Sequence, residues 1–400
     1  MKVLVVHAPG LHAGYLGCYG NEWVETPHLD RLAAEGIVFD QHYADCPGAP
    51  ESLRTSWTGR YCFPLPGEDD TPPAGDRLSL ADTLTAGGIA FIHAGGAKAS
   101  VKGAIRTGLA ALDRLTDRDR WLLWLDVPLL VPPWQVPDEF LERYFAEGPE
   151  EEAEPLTPWT DPPAGPLDPA DNTGLERLQN TYAAVVTHLD AEIGRQLEAA
   201  ADDVLVCVTA DRGLALGEHG VVGECRSWLH EEVIHLPLIV RLPGRAEACR
   251  RVFALTQPAD LFPTLLETFG VPVPEAAQGR SLWPLLSGKT EQVRAYACAG
   301  RRVADAVEWA LRAPEWGFIL PVSSAAEDRS NTPQLYVKPD DRWEVNNVVQ
   351  HHLDLAEHLE QTLHGFVQAS RRPGPLHAPE LRDLATAAAA EESSNPGGVP

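Results

Sequence analysis

The chain has 400 residues, 44% of them hydrophobic and 22% charged, with a formal net charge of −26. That length is enough for one large core, or for a large domain with a small one, and the composition is that of an ordinary globular chain. So acidic a balance argues against nonspecific binding to nucleic acid or to an anionic membrane, while leaving room for a locally positive pocket. The seven cysteines are odd in number, scattered and without a C-x-x-C pair. This reads as reduced, mostly buried thiols, not a disulfide framework or a zinc site. The opening M-K-V-L-V-V-H runs straight into a strand-like segment, nothing in it resembles a signal peptide, and no apolar stretch is long enough to span a bilayer. The expectation is a cytoplasmic protein.

In chain order, Lys2 to Val6 is a continuous apolar run, as in a buried parallel strand. A Gly/Pro-containing loop with His7 and His12 follows. Thr26 to Gly36 reads as a helix with Thr26 as N-cap, Pro27 in the first turn, Gly36 at the end, and Leu29, Leu32 and Ala33 facing inward. Tyr43 to Arg60, Y-A-D-C-P-G-A-P-E-S-L-R-T-S-W-T-G-R, is a Pro/Gly turn leading into a short helix over Ser52 to Thr58, closed by Gly59. The free N–H groups at such a helix start suit an anion, although a plain connecting turn gives the same pattern. Leu80 to Ala86 reads as a helix, and Ile89 to His93 and Trp121 to Asp126 as strands. Asp126 suits either a site-facing or a turn-capping role.

Gly148 to Asp171, with Glu150, Glu151, Glu152 and Glu154, reads as a solvated surface loop. Leu178, Tyr182, Val185, Val186, Leu189, Ile193 and Leu197 then recur at helical spacing, giving a long amphipathic helix after Thr173. Val204 to Thr209 is a strand ending in T-A-D-R-G. Val307 to Leu311 and Trp316 to Leu320 look like antiparallel strands, and Leu353 to Val367 like a final helix. The Pro-, Ala-, Glu- and Gly-rich end reads as disordered. The expected organisation is an α/β domain over 1–295, a small α+β subdomain over 296–369, and a tail over 370–400.

Several of these stretches, in this order, resemble the sulfatases, which share the alkaline phosphatase fold. Leu16 to Gly20 (L-G-C-Y-G), the Thr26 to Gly36 helix, T-G-R at Thr58 to Arg60, G-E-H-G at Gly217 to Gly220, and the segments Leu229 to Gly244 and Pro258 to Gly288 carry the likeness. It implies an α/β fold with a mainly parallel mixed sheet between helices, and a small C-terminal antiparallel sheet and helix. In that family a Cys-x-Pro-x-Arg motif supplies a formylglycine nucleophile, and two pairs, Asp-Asp and Asp-His or Asp-Asn, hold calcium. Aligning on Thr58 to Arg60 puts Ala49 at the nucleophile, Glu51 at the Pro, Leu53 at the Arg and Ser52 at a common Ser, with Arg54 one residue late. Counting back from Leu16 puts Pro9 and Gly10 at the first acidic pair. Asp211 is retained from the second, beside Arg212. Gly95 and Ala97 fall near the family's Lys and His, with Lys98 close by in the loop. Leu129 takes the place of a further His, and Arg226 lies close to a sulfate-contacting Lys.

The scaffold therefore resembles the family while its chemistry is missing, and fold alone does not confer activity. The first reading is a catalytically inactive sulfatase-like protein binding an anionic ligand (sulfate, phosphate or carboxylate) or a protein partner the sequence does not name. Its pocket would use His7, Ser52, Arg54, Asp211, Arg212 and Arg226, with Arg212 standing in for the metal. No cofactor is expected on this reading, nor a nucleic-acid or membrane partner. The second is a sulfuric- or phosphoric-ester hydrolase with a rebuilt site, using Ser52 or Cys46 with His7, and calcium only in that case; histidines suit zinc or iron better than calcium. The third is a structural or oligomerisation role. In each, Pro9, Gly10, Ala49 and Asp211 should converge at the carboxyl ends of the strands.

Overall fold

Ten strands and nine helices precede the C-terminal sheet among the described residues of this computed structural model. It describes the chain except residues 49–50, 63–77, 97–98, 129, 146–155, 224–228, 304, 324–331 and 382–400, and except the side chains of Glu51 and Ser52. The strands are β1 (Lys2–His7), β2 (Ile37–Tyr43), β3 (Ala90–Gly95), β4 (Trp121–Asp126), β5 (Gly165–Pro166), β6 (Val204–Thr209), β7 (Val221–Val222), β8 (His235–Leu236), β9 (Leu238–Arg241) and β10 (Arg250–Thr256). The helices are α1 (Pro27–Ala34), α2 (Glu51–Thr58), α3 (Leu80–Ala86), α4 (Val101–Leu115), α5 (Asp138–Leu141), α6 (Asn172–Ala199), α7 (Glu231–Ile234), α8 (Leu261–Thr268) and α9 (Trp283–Leu286).

The main sheet runs in the order β10-β2-β9-β6-β1-β4-β3, with β8 beside β2. All neighbours pair in parallel except at β9 and β8, which run against the rest. Its central strands are apolar on both faces because helices cover both. Leu4, Val6, Leu123, Leu125, Val206 and Val208 join α1, α4 and α6 in one core. Val3, Val5, Leu122, Trp124, Leu205 and Cys207 join α3, α8 and α9 in the other. The sheet is thus mixed and mainly parallel, as the resemblance implies.

Four further strands, β11 (Ala297–Val303), β12 (Ala306–Arg312), β13 (Trp316–Ser323) and β14 (Gln334–Val337), form an antiparallel sheet in sequence order. α10 (Leu353–Ser370) packs on it through Leu355, Leu359, Leu363, Phe366 and Val367, and the helix runs three residues beyond the expected Val367. Residues 371–381, part of the expected tail, lie against this unit. Leu376, Ala378 and Leu381 pack on it, and the Tyr296 hydroxyl donates to the Pro379 carbonyl at 2.8 Å. The rest of the tail, from residue 382, lies outside the described residues. Among those residues no helix is long and apolar enough to cross a membrane.

Local chemistry departs from expectation at three points. Thr26 does not cap α1 with its side chain. Its hydroxyl accepts from Gly17 N–H and donates to Asp30, while the first N–H groups of α1 are satisfied by Asp190 of α6, at 3.1 Å (His28) and 2.8 Å (Leu29). α6 itself is capped by Asp171, whose carboxylate accepts from Gly174 N–H at 2.7 Å. The described cysteines carry no disulfide, but Cys249 is exposed, not buried.

Candidate functional site

The site is built at the carboxyl ends of β1, β3 and β4. The register pairs His7 with Asp126 and His93 with Trp124. Side chains alternate faces along a strand. Val3, Val5 and His7 therefore share a face with Leu122, Trp124 and Asp126, and with Phe91 and His93. His7 Nδ1 lies 2.9 Å from Asp126 Oδ1, and His93 Nε2 lies 2.6 Å from Asp126 Oδ2. The Trp124 indole N–H donates to Oδ1 at 2.9 Å. One carboxylate thus clamps two imidazoles and an indole. α2 closes over them: the Trp57 ring meets His93 at 4.8 Å and Trp124 at 5.7 Å between centroids. The Trp57 Nε1–H is buried without a hydrogen-bond partner.

Burial works against ionisation of Asp126, but the two histidine bonds outweigh it and hold the carboxyl well below the usual carboxylate range. Burial likewise disfavours a charged His7. The bond to Asp126 and the charges of Asp211 and Asp126 win, and raise its pKa above the ordinary 6.5. His7 is buried, whereas the His93 side chain is 38% exposed and reaches the mouth of the site.

The positions aligned with the family's metal ligands do lie side by side. Ala8 N–H donates to Thr209 O at 2.8 Å, and Gly10 N–H to Arg212 O at 3.1 Å. Asp211 and Arg212 are both buried. The residues do not fit calcium, a hard cation that takes six to eight oxygen ligands. Pro9 has no side-chain donor. Gly10 has φ +83°, a Cβ built on it would sit 3.3 Å from the Leu130 backbone, and its carbonyl is taken by the Tyr182 hydroxyl at 2.6 Å. Arg212 is a cation. Among the described residues no group of three or more His, Cys, Asp or Glu is placed to hold a metal.

Of the residues named from sequence, His7, Asp211 and Arg212 come together here. Arg54 is exposed on α2. Ser52 stands in the first turn of α2, but its side chain, like Ala49, Leu129, Ala97, Lys98 and Arg226, lies outside the described residues. Cys46 is buried. His12 is occupied elsewhere: its Nδ1 accepts from Gly14 N–H at 2.9 Å and its Nε2 lies 3.3 Å from Glu218. Asp126 faces the site and clamps histidines, so the turn-capping alternative falls away. Sequence reasoning alone does not single out His93, Trp57 or Trp124. The signal was present, since His93 is two residues from Phe91 and Asp126 is two from Trp124, but it needs the strand register to be read.

Beneath the turn that leads to residue 49, Asp45 is fully buried and accepts from the Thr55 hydroxyl and from Cys62 N–H, both at 2.9 Å. Burial pushes its carboxyl up to about 6, against the pull of those bonds. It ties the turn to α2 and to the chain leaving α2.

A mixed sheet between helices, a small antiparallel C-terminal sheet and an aligned pair of loops at the strand ends define the alkaline phosphatase-like architecture. The sulfatase family model matches residues 2–101, and the model described as N-sulphoglucosamine sulphohydrolase, C-terminal, matches 217–298. The chain belongs to the sulfatase family. It is 35% identical over 122 residues to an N-acetylglucosamine-6-O-sulfatase of Bacteroides thetaiotaomicron, covering 29% of this chain and only 22% of that protein. Its fold matches a protein solved in complex with its substrate D-glucosamine-2-N,6-O-disulfate, with a TM-score of 0.73 at 18% identity, over 92% of this chain and 98% of that one. It also matches the phosphonate monoester hydrolase of Agrobacterium radiobacter, with a TM-score of 0.71 at 19% identity, over 93% and 96%.

Proposed function

We propose that this chain is a catalytically inactive, metal-independent member of the family that binds an oxyanion group (sulfate, phosphate or carboxylate) at the strand ends. The observation that carries this reading is the backbone at Gly10: its φ of +83° strains any side chain there, a Cβ would crowd the Leu130 backbone, and its carbonyl is already bonded by the Tyr182 hydroxyl. In place of a dication the site offers His7, its pKa raised by Asp126 and Asp211, together with the His93 ring and the Arg212 guanidinium. Arg is charged at any working pH and binds oxyanions in bidentate fashion. Arg226 and Arg54 join this pocket as proposed contacts. Asp126 orients both imidazoles, and the alignment puts Ala49 where the nucleophile belongs. A sulfated ligand is supported by the substrate of the structural neighbour. The −26 charge supports a ligand that is neither nucleic acid nor an anionic membrane.

The test is a calorimetric titration with sulfate and phosphate in chelator at fixed ionic strength. Saturable binding that is lost in Arg212→Ala supports the reading; no binding, or the same binding in that variant, overturns it. Aryl sulfates and aryl phosphates should not be hydrolysed with or without calcium, and Ala49→Cys alone should not restore turnover. One observation favours a second reading, a rebuilt hydrolase: the His93–Asp126 pair at 2.6 Å resembles an oriented general base. Turnover abolished by His93→Gln, and by Ala substitution at Ser52 or Cys46, would establish that reading instead.

A further inference from the structure

The C-terminal sheet turns one face to α10 and the other to the main sheet, where Ala297, Ala299, Ala310 and Ile319 join the core shared with α1, α4 and α6. Side chains alternate along a strand, so Arg301 of β11 and Glu308 and Arg312 of β12 stand on that inward face too. All three are buried. Buried charge is costly unless it is bound, so the partners of these residues show what they are for. The partners include backbone groups of two loops of the strand-end site. Arg301 Nη1 donates to Pro47 O at 2.9 Å, and Gly300 N–H donates to Asp45 O at 2.7 Å. A Cβ built on Gly48 would meet the Arg301 guanidinium at 4.0 Å. This is the turn that leads to residue 49. Glu308 accepts from Leu229 N–H at 3.0 Å, and Arg312, paired with Glu344 at 2.6 Å, donates from Nη2 to Leu229 O at 2.9 Å. Leu229 directly follows the stretch that carries Arg226.

Arg301 and Glu308 are directly opposite each other in the β11–β12 register. Opposite residues of an antiparallel pair have Cβ atoms about 5 Å apart. Two neighbouring side chains of one sheet therefore hold two loops that are remote along the chain. Asp45 also binds α2 through Thr55, and the chain leaving α2 through Cys62. A shift of the turn is thus passed to the helix whose Trp57 meets His93. We infer that Arg301 and Glu308 are positioning residues of the oxyanion site, fixing the spacing between the turn before residue 49 and the segment after Arg226. They act through the backbone of these loops. The inference rests on the oxyanion reading of the strand ends, and it makes the C-terminal sheet a working part of that site.

The experiment is a calorimetric titration of the full chain with sulfate, in chelator at fixed ionic strength and below the melting temperature of every variant. Arg301→Met and Glu308→Ala should each weaken sulfate by about tenfold. Arg301→Lys keeps a donor for Pro47 O, and Glu308→Gln keeps an acceptor for Leu229 N–H, so both should stay within about threefold of wild type. A second measurement needs no variant, and decides the matter if Arg301→Met or Glu308→Ala does not fold. Saturating sulfate should slow hydrogen exchange at Gly300 and Leu229 N–H in the wild-type chain by at least about threefold relative to the amides of β13. If sulfate binds wild type and is lost in Arg212→Ala, but binds Arg301→Met and Glu308→Ala as it binds wild type, the inference falls and the oxyanion reading stands. Lys and Gln variants as weak as their Met and Ala counterparts overturn the inference too, because packing and not the loop bonds is then at stake. Unchanged relative exchange at both amides also overturns it. No saturable binding of sulfate by wild type overturns the oxyanion reading, and the inference with it.

Discussion

Nε2 of His93 lies 2.6 Å from Oδ2 of Asp126, although the two residues are 33 apart in the chain. β3 and β4 pair in parallel with His93 opposite Trp124, so the Asp126 side chain, two residues further on and on the same face, reaches back across the strand to the imidazole. The same carboxylate holds His7 through its other oxygen.

Asp126→Asn should destabilise the protein by about 1–3 kcal/mol near pH 6, and by less near pH 9. His7 has a folded pKa above its unfolded value. Its contribution is therefore complete below about 6.5 and is lost as pH rises through the folded value. The depressed Asp126 contributes above its ordinary 3.8 and loses that only under acid. Urea melts of both proteins at the two pH values check this. A gap that does not narrow at the higher pH would contradict it.

Asp45→Asn should be neutral to stabilising near pH 7, by up to about 1–2 kcal/mol. Asp45 keeps its proton in the fold until pH about 6, above its ordinary 3.8, so folding loses stability as pH climbs between those values. Asn keeps the shape and an oxygen for Cys62 N–H. The melting temperatures of the two proteins should coincide near pH 4, draw apart as the pH rises to about 6 and keep a constant gap above it. A variant equally weakened at both would reject the assignment.

His219 sits 2.8 Å from Glu232 and stacks on His230 at 3.7 Å. Burial disfavours its charge, but the Glu232 bond and the nearby carboxylates outweigh this and raise it to about 9. The pair stabilises fully below about 6.5, and the gain is lost as pH rises through about 9. His219→Gln should therefore flatten the melting-temperature profile across that window, at a cost of about 1–2 kcal/mol below it, discounted for the partly exposed ring. Parallel slopes for wild type and variant would count against the pair.

Gly95→Ala should cost about 3 kcal/mol or more. Gly95 ends β3 at φ +85°, and a Cβ there would lie 1.9 Å from the Asp126 carbonyl oxygen, which is backbone and cannot swing aside. Denaturant melts give the cost, and the His93 imidazole signals in NMR should shift with the displaced strand end. A loss below about 1 kcal/mol would mean that the strand end yields freely.

Much of the frame was legible because short-range chemistry sets it. Trp121 to Asp126 and Val204 to Thr209 are continuous apolar runs, and both are strands with the expected bounds. Pro27 and the Leu29, Leu32 and Ala33 spacing marked α1. Less of the site was legible. His7, Asp211 and Arg212 were reached through motifs that follow strands. In the sequence His93 reads only as the last residue of a strand, because nothing within a few residues of it reveals a partner.

By itself the sequence determined which segments are strands and helices, their order, and which motif positions lack an acid or a nucleophile, since residue type and spacing carry those properties. The tertiary structure decided who meets whom. It replaced Thr26 by Asp190, 161 residues further along the chain, as the acceptor for Leu29 N–H, and turned Asp126 from a strand end into a clamp on two histidines. The physical reason is that a hydrogen bond depends on separation in space, and strand register and helix packing bring together groups that are remote along the chain.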